Sequence, residues 1–159
     1  DSAIDYMIFN CFINNTDGLD KNYLLDTFDG KKWYFSAYDM DGVLGNEWNG
    51  KNYYRADAGC TIKAFQDTHR LMHLIYSYDS ARLCTRYREL RKGALSEEAV
   101  TCKLMNYAVD IPKANHDYEV LRWPGIPGTD TNNVGQILHW YRLRCIALDA
   151  EVAALERTL

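Results

Sequence analysis

The dipeptide Asp29-Gly30, set between the aromatic-rich segments 22–28 and 31–37, constrains this chain more than any other feature. Tyr23, Phe28, Trp33, Tyr34 and Phe35 give both flanks a strand preference. An Asp-Gly pair accepts the positive φ angles of a tight turn, so the spacing predicts one β-hairpin over residues 22–37. A hairpin sets its two open ends side by side. Asn22 opens the first strand, Asp39 follows the second, and Asp17 and Asp41 lie just beyond them. Clustered carboxylates repel one another and resist desolvation unless a cation or a proton neutralises them. A hard, oxygen-seeking cation is the first ligand to expect at that end.

Asp17 and Asn22 are spaced D-x-x-x-x-N, and Asp39 comes after the next strand. Protein kinases use this order: an Asp to receive the substrate hydroxyl proton, an Asn for Mg²⁺, and a later Asp for Mg²⁺ between the phosphates. Phosphoryl transfer asks little covalent chemistry of a protein and mainly needs positioned oxygens and cations. The pattern departs from the ordinary kinase in two places. Asn15-Thr16 stands where His-Arg would precede the Asp, and Asp39-Met40-Asp41 stands for Asp-Phe-Gly.

The wider stretch is more specific than its pieces. An apolar helix, then N-x-x-D-x-x-x-x-N-Y, then a hairpin ending in W-x-F-x-x-Y-D-x-D-x-x-x-G resembles the CotH kinase family, the atypical kinases named after spore-coat protein H. The residues concerned are Asn14, Asp17, Asn22, Tyr23, Trp33, Phe35, Tyr38, Asp39, Asp41 and Gly45. The family often shows Pro-Trp-Asp before its second acidic motif, where this chain has Ala37-Tyr38-Asp39. The resemblance continues more faintly into the C-terminal helices, including the run RCIALD from Arg144. It implies an α+β, mostly helical domain like the C-terminal lobe of a kinase, binding ATP and Mg²⁺ and phosphorylating protein hydroxyls. By matching position, Asp17 would be the catalytic Asp, with Asn22 and Asp39 binding the metal-nucleotide complex. Asp41 would assist as a metal ligand, and Mn²⁺ or Ca²⁺ are alternative occupants.

Size and composition set the limits. A chain of 159 residues suits a single domain over its whole length, large enough to bury about 70% of its unfolded surface. A net charge of -4 and a pI near 5.5 argue against an electrostatic nucleic-acid binder. Arg82, Arg86, Arg88, Arg91 and Lys92 come with Glu89 and read as one solvated helix face. No apolar run is long enough to span a bilayer and no secretory signal opens the chain, so no membrane partner is expected. The bacterial cytoplasm, a spore coat or a virion all suit such a chain.

Asp1 is not an initiator, and Ile4, Met7, Ile8, Cys11 and Phe12 already fall on one helical face. The chain therefore reads as a fragment. The resemblance implies that the missing N-terminal segment is the lobe that covers the nucleotide phosphates, since no G-x-G-x-x-G or Walker motif occurs here. Five widely spaced cysteines fit neither a zinc site nor a disulfide framework, and Cys11, Cys84 and Cys145 read as packed thiols. Asn14-Asn15-Thr16 is a glycosylation sequon only in form. His69 and His73 share a helix face without a third ligand, and Asp39 to Glu47 is too short for an EF-hand.

Beyond Gly45, residues 46–59 read as a surface loop pinned by Trp48, Tyr53 and Tyr54, with Arg55 free to bind a phosphate or pair with a carboxylate. Phe65, Met72, Ile75 and Tyr76 then mark one helix, and Leu83, Cys84, Tyr87 and Leu90 another that stops at Gly93. Ser96 caps a third with a buried stripe of Val100, Leu104, Tyr107, Ala108 and Ile111, ended by Pro112. Residues 123–131 read as a turn-rich loop, and Val134 to Leu155 trace a long terminal helix.

Two functions compete on these residues. One is a Mg²⁺-dependent protein kinase domain acting on a protein substrate. The other is a non-catalytic structural or interaction module of a larger assembly such as a spore coat or phage tail. The plainest account of the acidic residues is local: Asp17 and Asp39 would cap backbone N–H groups of turns.

Overall fold

The computed structural model describes residues 1–47, 55–125 and 134–159. Seven helices and one two-stranded antiparallel sheet occur among them: α1 (Ser2–Ile13), β1 (Tyr23–Thr27), β2 (Trp33–Ala37), α2 (Ile62–Thr68), α3 (Arg70–Tyr78), α4 (Ser80–Lys92), α5 (Glu97–Asp110), α6 (Lys113–Arg122) and α7 (Val134–Glu156). The α+β, mostly helical class holds.

Helix α1 runs through the middle of the core. Met7, Ile8 and Phe12 are fully buried; Phe12 stacks on Tyr87 of α4 at 5.4 Å and meets Tyr141 of α7 at 5.9 Å. Leu83, Cys145, Leu148 and Val152 close the same cluster. The packed-thiol reading holds for Cys11, Cys84 and Cys145, and Cys60 joins them. The hairpin lies against α1 through Tyr6, which stacks on Phe35 at 4.9 Å. Its register pairs Tyr23 with Ala37 and Thr27 with Trp33.

Four expectations need correction. The hairpin loop spans residues 28–32 rather than the Asp29-Gly30 pair alone, because Asp29 Oδ1 accepts from the N–H groups of Lys31 (2.8 Å) and Lys32 (2.9 Å) and widens it. The expected helix from Phe65 to Tyr76 is two, broken at His69 (φ -119°, ψ 116°). The basic cluster on α4 is more than a solvated face: Arg82, Glu89 and Lys92 are exposed, but Arg86 pairs with Asp5 at 2.6 Å, Arg88 with Glu156 at 2.8 Å, and Arg91 with Asp149 at 3.3 Å, bracketing neighbouring helices. On α5, Ser96 does cap the helix by accepting from Ala99 N–H at 3.1 Å, but Tyr107, Ala108 and Ile111 are exposed. Val100 packs against the core and Leu104 is half-buried, whereas residues 105–111 are exposed.

Trp48, Tyr53 and Tyr54, and residues 126–131 of the expected C-terminal loop, lie outside the described residues. Among the described residues no helix is long and apolar enough to cross a membrane.

Candidate functional site

Helix α1 ends because Asn14 turns left-handed (φ 58°, ψ 44°), a conformation that asparagine tolerates. Its N–H reaches back to Asn10 O and Cys11 O, and Asn15 N–H follows to Asn10 O at 3.0 Å. A short 3₁₀ turn, Thr16–Leu19, starts at once. Asn15 caps it by accepting from Gly18 N–H at 3.2 Å. Asn15 Nδ2 donates to Asn10 Oδ1 at 2.7 Å, Asn10 Nδ2 donates to Tyr6 O at 2.8 Å, and the Tyr6 hydroxyl donates to Gly18 O at 3.0 Å. All three side chains are buried, and burial pushes the Tyr6 phenol above its ordinary range.

Asp17 rides on this turn. Among the described residues its carboxylate caps no backbone group; Oδ2 accepts from Lys21 Nζ at 2.9 Å and from Asn22 Nδ2 at 3.3 Å. Asn22 holds φ 57°, which brings its amide back toward Asp17 as β1 begins. The hairpin closes with Tyr38 N–H on Asn22 O at 3.0 Å, so Asp39 leaves the sheet one residue from that closure, with φ 54°. Asp39 and Asp41 expose their carboxylates and take no hydrogen bond or ion pair among the described residues. Lys21 reports on the grouping. Its ammonium is held above the ordinary lysine range by the hydrogen bond and charge of Asp17, and further by the charges of Asp20 and Asp39.

The loop from Asp39 to Glu47 is fastened at its far end. Leu44 N–H donates to Ile13 O at 2.6 Å, and Gly45 lies under the Trp140 ring of α7. Residues 55–60 are fastened separately: Cys60 N–H donates to Asn14 Oδ1 at 2.8 Å, and the buried Arg144 donates to the carbonyls of Cys11, Ala56, Ala58 and Cys60. Arg55 pairs bidentately with Asp57, at 2.9 and 2.6 Å. It is engaged with a carboxylate two residues away.

The sequence therefore places Asp17, Asn22 and Asp39 at one end of the hairpin, with Asp41 just beyond. Among the described residues no group of three His, Cys, Asp or Glu stands close enough to cage a metal. His69 faces Tyr23, its Nε2 at 3.3 Å from the hydroxyl, while His73 is exposed. Mg²⁺ needs no such cage: it keeps several waters and is usually bound through one or two carboxylates and substrate phosphates. The donors fit that chemistry, being carboxylate oxygens plus the Asn22 Oδ1 left over when Nδ2 serves Asp17. Motif reading passed over Tyr6, Asn10 and Lys21, and it quoted Asn15 and Arg144 only within longer motifs, without a role in forming the site. The signal for Asn10 was present, since an amide inside an apolar helical stripe has to find a partner.

The family profile described as CotH kinase protein matches residues 1–148. No curated protein and no solved structure matches the chain.

Proposed function

The chain belongs to the CotH kinase family, and from that membership we propose that it forms the kinase-like lobe of a Mg²⁺-dependent protein kinase that uses ATP. The observation that carries the reading is the hairpin closure. Tyr38 N–H on Asn22 O brings the second acidic motif beside an Asp17–Asn22 pair already in contact.

In this reading the substrate Ser or Thr hydroxyl docks against the Asp17 carboxylate. As the hydroxyl oxygen bonds to the γ-phosphorus, its proton passes to Asp17, and the bond from that phosphorus to the bridging oxygen breaks to release ADP. Asn22 Oδ1 and Asp39 would hold the Mg²⁺, with Asp41 assisting; the metal supplies positive charge for the developing phosphate charge. Lys21, half of whose side chain or more faces solvent, can leave Asp17 for a phosphate oxygen and so free the base.

A γ-phosphate transfer assay on the full-length protein tests this. Asp17→Ala is expected to lower kcat by roughly two to four orders of magnitude, the usual range for a positioned acid-base group, with nucleotide affinity little changed. Asp39→Asn should lose turnover and weaken Mg²⁺-dependent nucleotide binding measured by calorimetry, because a metal ligand acts in the ground state too. Equal transfer in wild type and both variants would remove the acidic residues from catalysis.

A second reading, an interaction module without turnover, draws on the α5–α6 arm. Val109 and Leu121 are each 79% exposed there, and Tyr107, Tyr118 and Trp123 are exposed as well. Large apolar side chains gathered on one arm suit contact with another protein.

A further inference from the structure

The ordinary kinase His-Arg pair is replaced here by Asn15-Thr16, and Asn15, the residue before the turn, makes two buried side-chain hydrogen bonds, to Asn10 and to Gly18. We propose that Asn15, held by Asn10 and Tyr6, is the positioning residue of Asp17: it fixes the peptide that links Asp17 to Gly18 and so aims the Asp17 carboxylate at the open end of the hairpin. The inference rests on the kinase reading above for its catalytic consequence, and on geometry alone for the aiming.

The bonds form a closed circuit. Tyr6 O accepts from Asn10 Nδ2, Asn10 Oδ1 from Asn15 Nδ2, Asn15 Oδ1 from Gly18 N–H, and Gly18 O from the Tyr6 hydroxyl. It begins and ends on one residue of α1, the helix that fills the core. Buried amides are costly unless paired, and here each pairs within the circuit. Gly18 leaves no slack: a Cβ on it would stand 2.6 Å from Asn10 Oδ1, 2.9 Å from Asn15 Nδ2 and 2.9 Å from the Tyr6 hydroxyl. Asp17 is thereby followed directly by a locked residue, although half of its own side chain meets solvent.

Turn capping alone would not require asparagine. Ser or Asp at position 15 could equally accept from Gly18 N–H. The amide accepts from Gly18 N–H with Oδ1 and donates to Asn10 Oδ1 with a separate atom, Nδ2, on a longer arm; serine keeps an oxygen for the cap and loses that nitrogen. Asn15→Ser therefore keeps the cap, cuts the circuit, and separates aiming from mere turn formation.

The experiment uses the full-length protein with Asn15→Ser, Asp17→Ala, both together, and the milder Tyr6→Phe, which removes one hydroxyl and serves if Asn15→Ser does not fold. A misplacement near 1 Å can cost about a hundredfold, so Asn15→Ser is expected to lower kcat by roughly ten- to a hundredfold while the nucleotide KM stays near wild type. A residue that acts only through Asp17 adds nothing once Asp17 is gone, so the double variant should be no slower than Asp17→Ala. Side-chain amide exchange of Asn22, read by NMR, needs no turnover: Asn15→Ser and Tyr6→Phe should both speed it while amides in the middle of α1 stay protected. Undiminished kcat in Asn15→Ser, a double variant slower than Asp17→Ala, or unchanged Asn22 exchange would each overturn the inference. Absence of transfer by the wild type would sink the proposed function instead, and Asn22 exchange would then decide the aiming by itself.

Discussion

Arg144 carries a positive charge into the interior with no carboxylate paired to it among the described residues. Its stabilisation comes from dipoles: Nε donates to Cys11 O at 2.8 Å, one terminal nitrogen to Ala56 O at 2.8 Å and Ala58 O at 2.9 Å, the other to Cys60 O, and the guanidinium lies 5.9 Å from the Trp140 ring centre. The planar fork matters, because those carbonyls come from α1 and from residues 55–60. Arg144→Met would leave four carbonyls short of a donor. With about 1.5–3 kcal/mol typical for a hydrogen bond to a charged group, and partial relaxation, a loss of about 3–5 kcal/mol is expected. Arg144→Lys should recover little, since an ammonium cannot reproduce the fork. Urea midpoints at unchanged m-value check this; a lysine variant as stable as wild type would mean that charge alone suffices.

At the scale of elements, the acidic loop is positioned by what fixes its two ends, the hairpin closure and the packing of Gly45 under α7. Gly45 has φ 87°, and a Cβ there would stand 2.5 Å from Trp140 Cδ1. Gly45→Ala meets both the wrong backbone region and a ring in the core, so a destabilisation of about 1–3 kcal/mol is expected from strain and overpacking. Thermal unfolding followed by tryptophan fluorescence measures it. The hairpin, α1 and α7 were legible from the sequence because their periodicity and turn chemistry are local. So was the order Asp17, Asn22, Asp39. The break at His69 was not, because Phe65 and Met72 keep apolar spacing across it while only the backbone changes. Nor was the exposure of Tyr107 and Ile111, since an apolar stripe states what a face prefers and not whether a partner reaches it. The Asn10–Asn15 circuit escaped for a third reason: motif spacing identifies groups that touch substrate, whereas the residues that aim them show only as polar positions in an apolar helix.

For the whole molecule, the buried titratable groups bound stability from both sides in pH. On the acid side, burial against Tyr23 and Phe35 lowers the His69 pKa from an ordinary value of about 6.5. The unfolded chain then binds a proton that the folded chain refuses, so stability is full above about pH 6.5 and falls as pH drops toward the folded value. Asp29, held low by the N–H groups of Lys32 and Lys31, and Glu156, held low by Arg88, extend the loss into the carboxylate range. On the alkaline side, burial pushes Cys145 up to about 11 and raises the thiols of Cys11 and Cys84 and the phenols of Tyr6, Tyr87 and Tyr141. Each stays protonated in the fold while its unfolded counterpart ionises, so the stabilisation is complete below about pH 8.5 for the thiols and below about pH 10 for the phenols, and is lost above those values. The melting temperature should therefore form a plateau between about pH 6.5 and 8.5, with the alkaline limb the steeper because more groups share it. Calorimetry across pH 4.5 to 10.5 tests the shape, and His69→Gln should flatten the limb just below about pH 6.5 while leaving the alkaline limb in place. An unchanged acid limb in that variant would assign the loss to the carboxylates alone, and a flat profile above pH 9 would mean that the buried thiols and phenols are reached by solvent without unfolding.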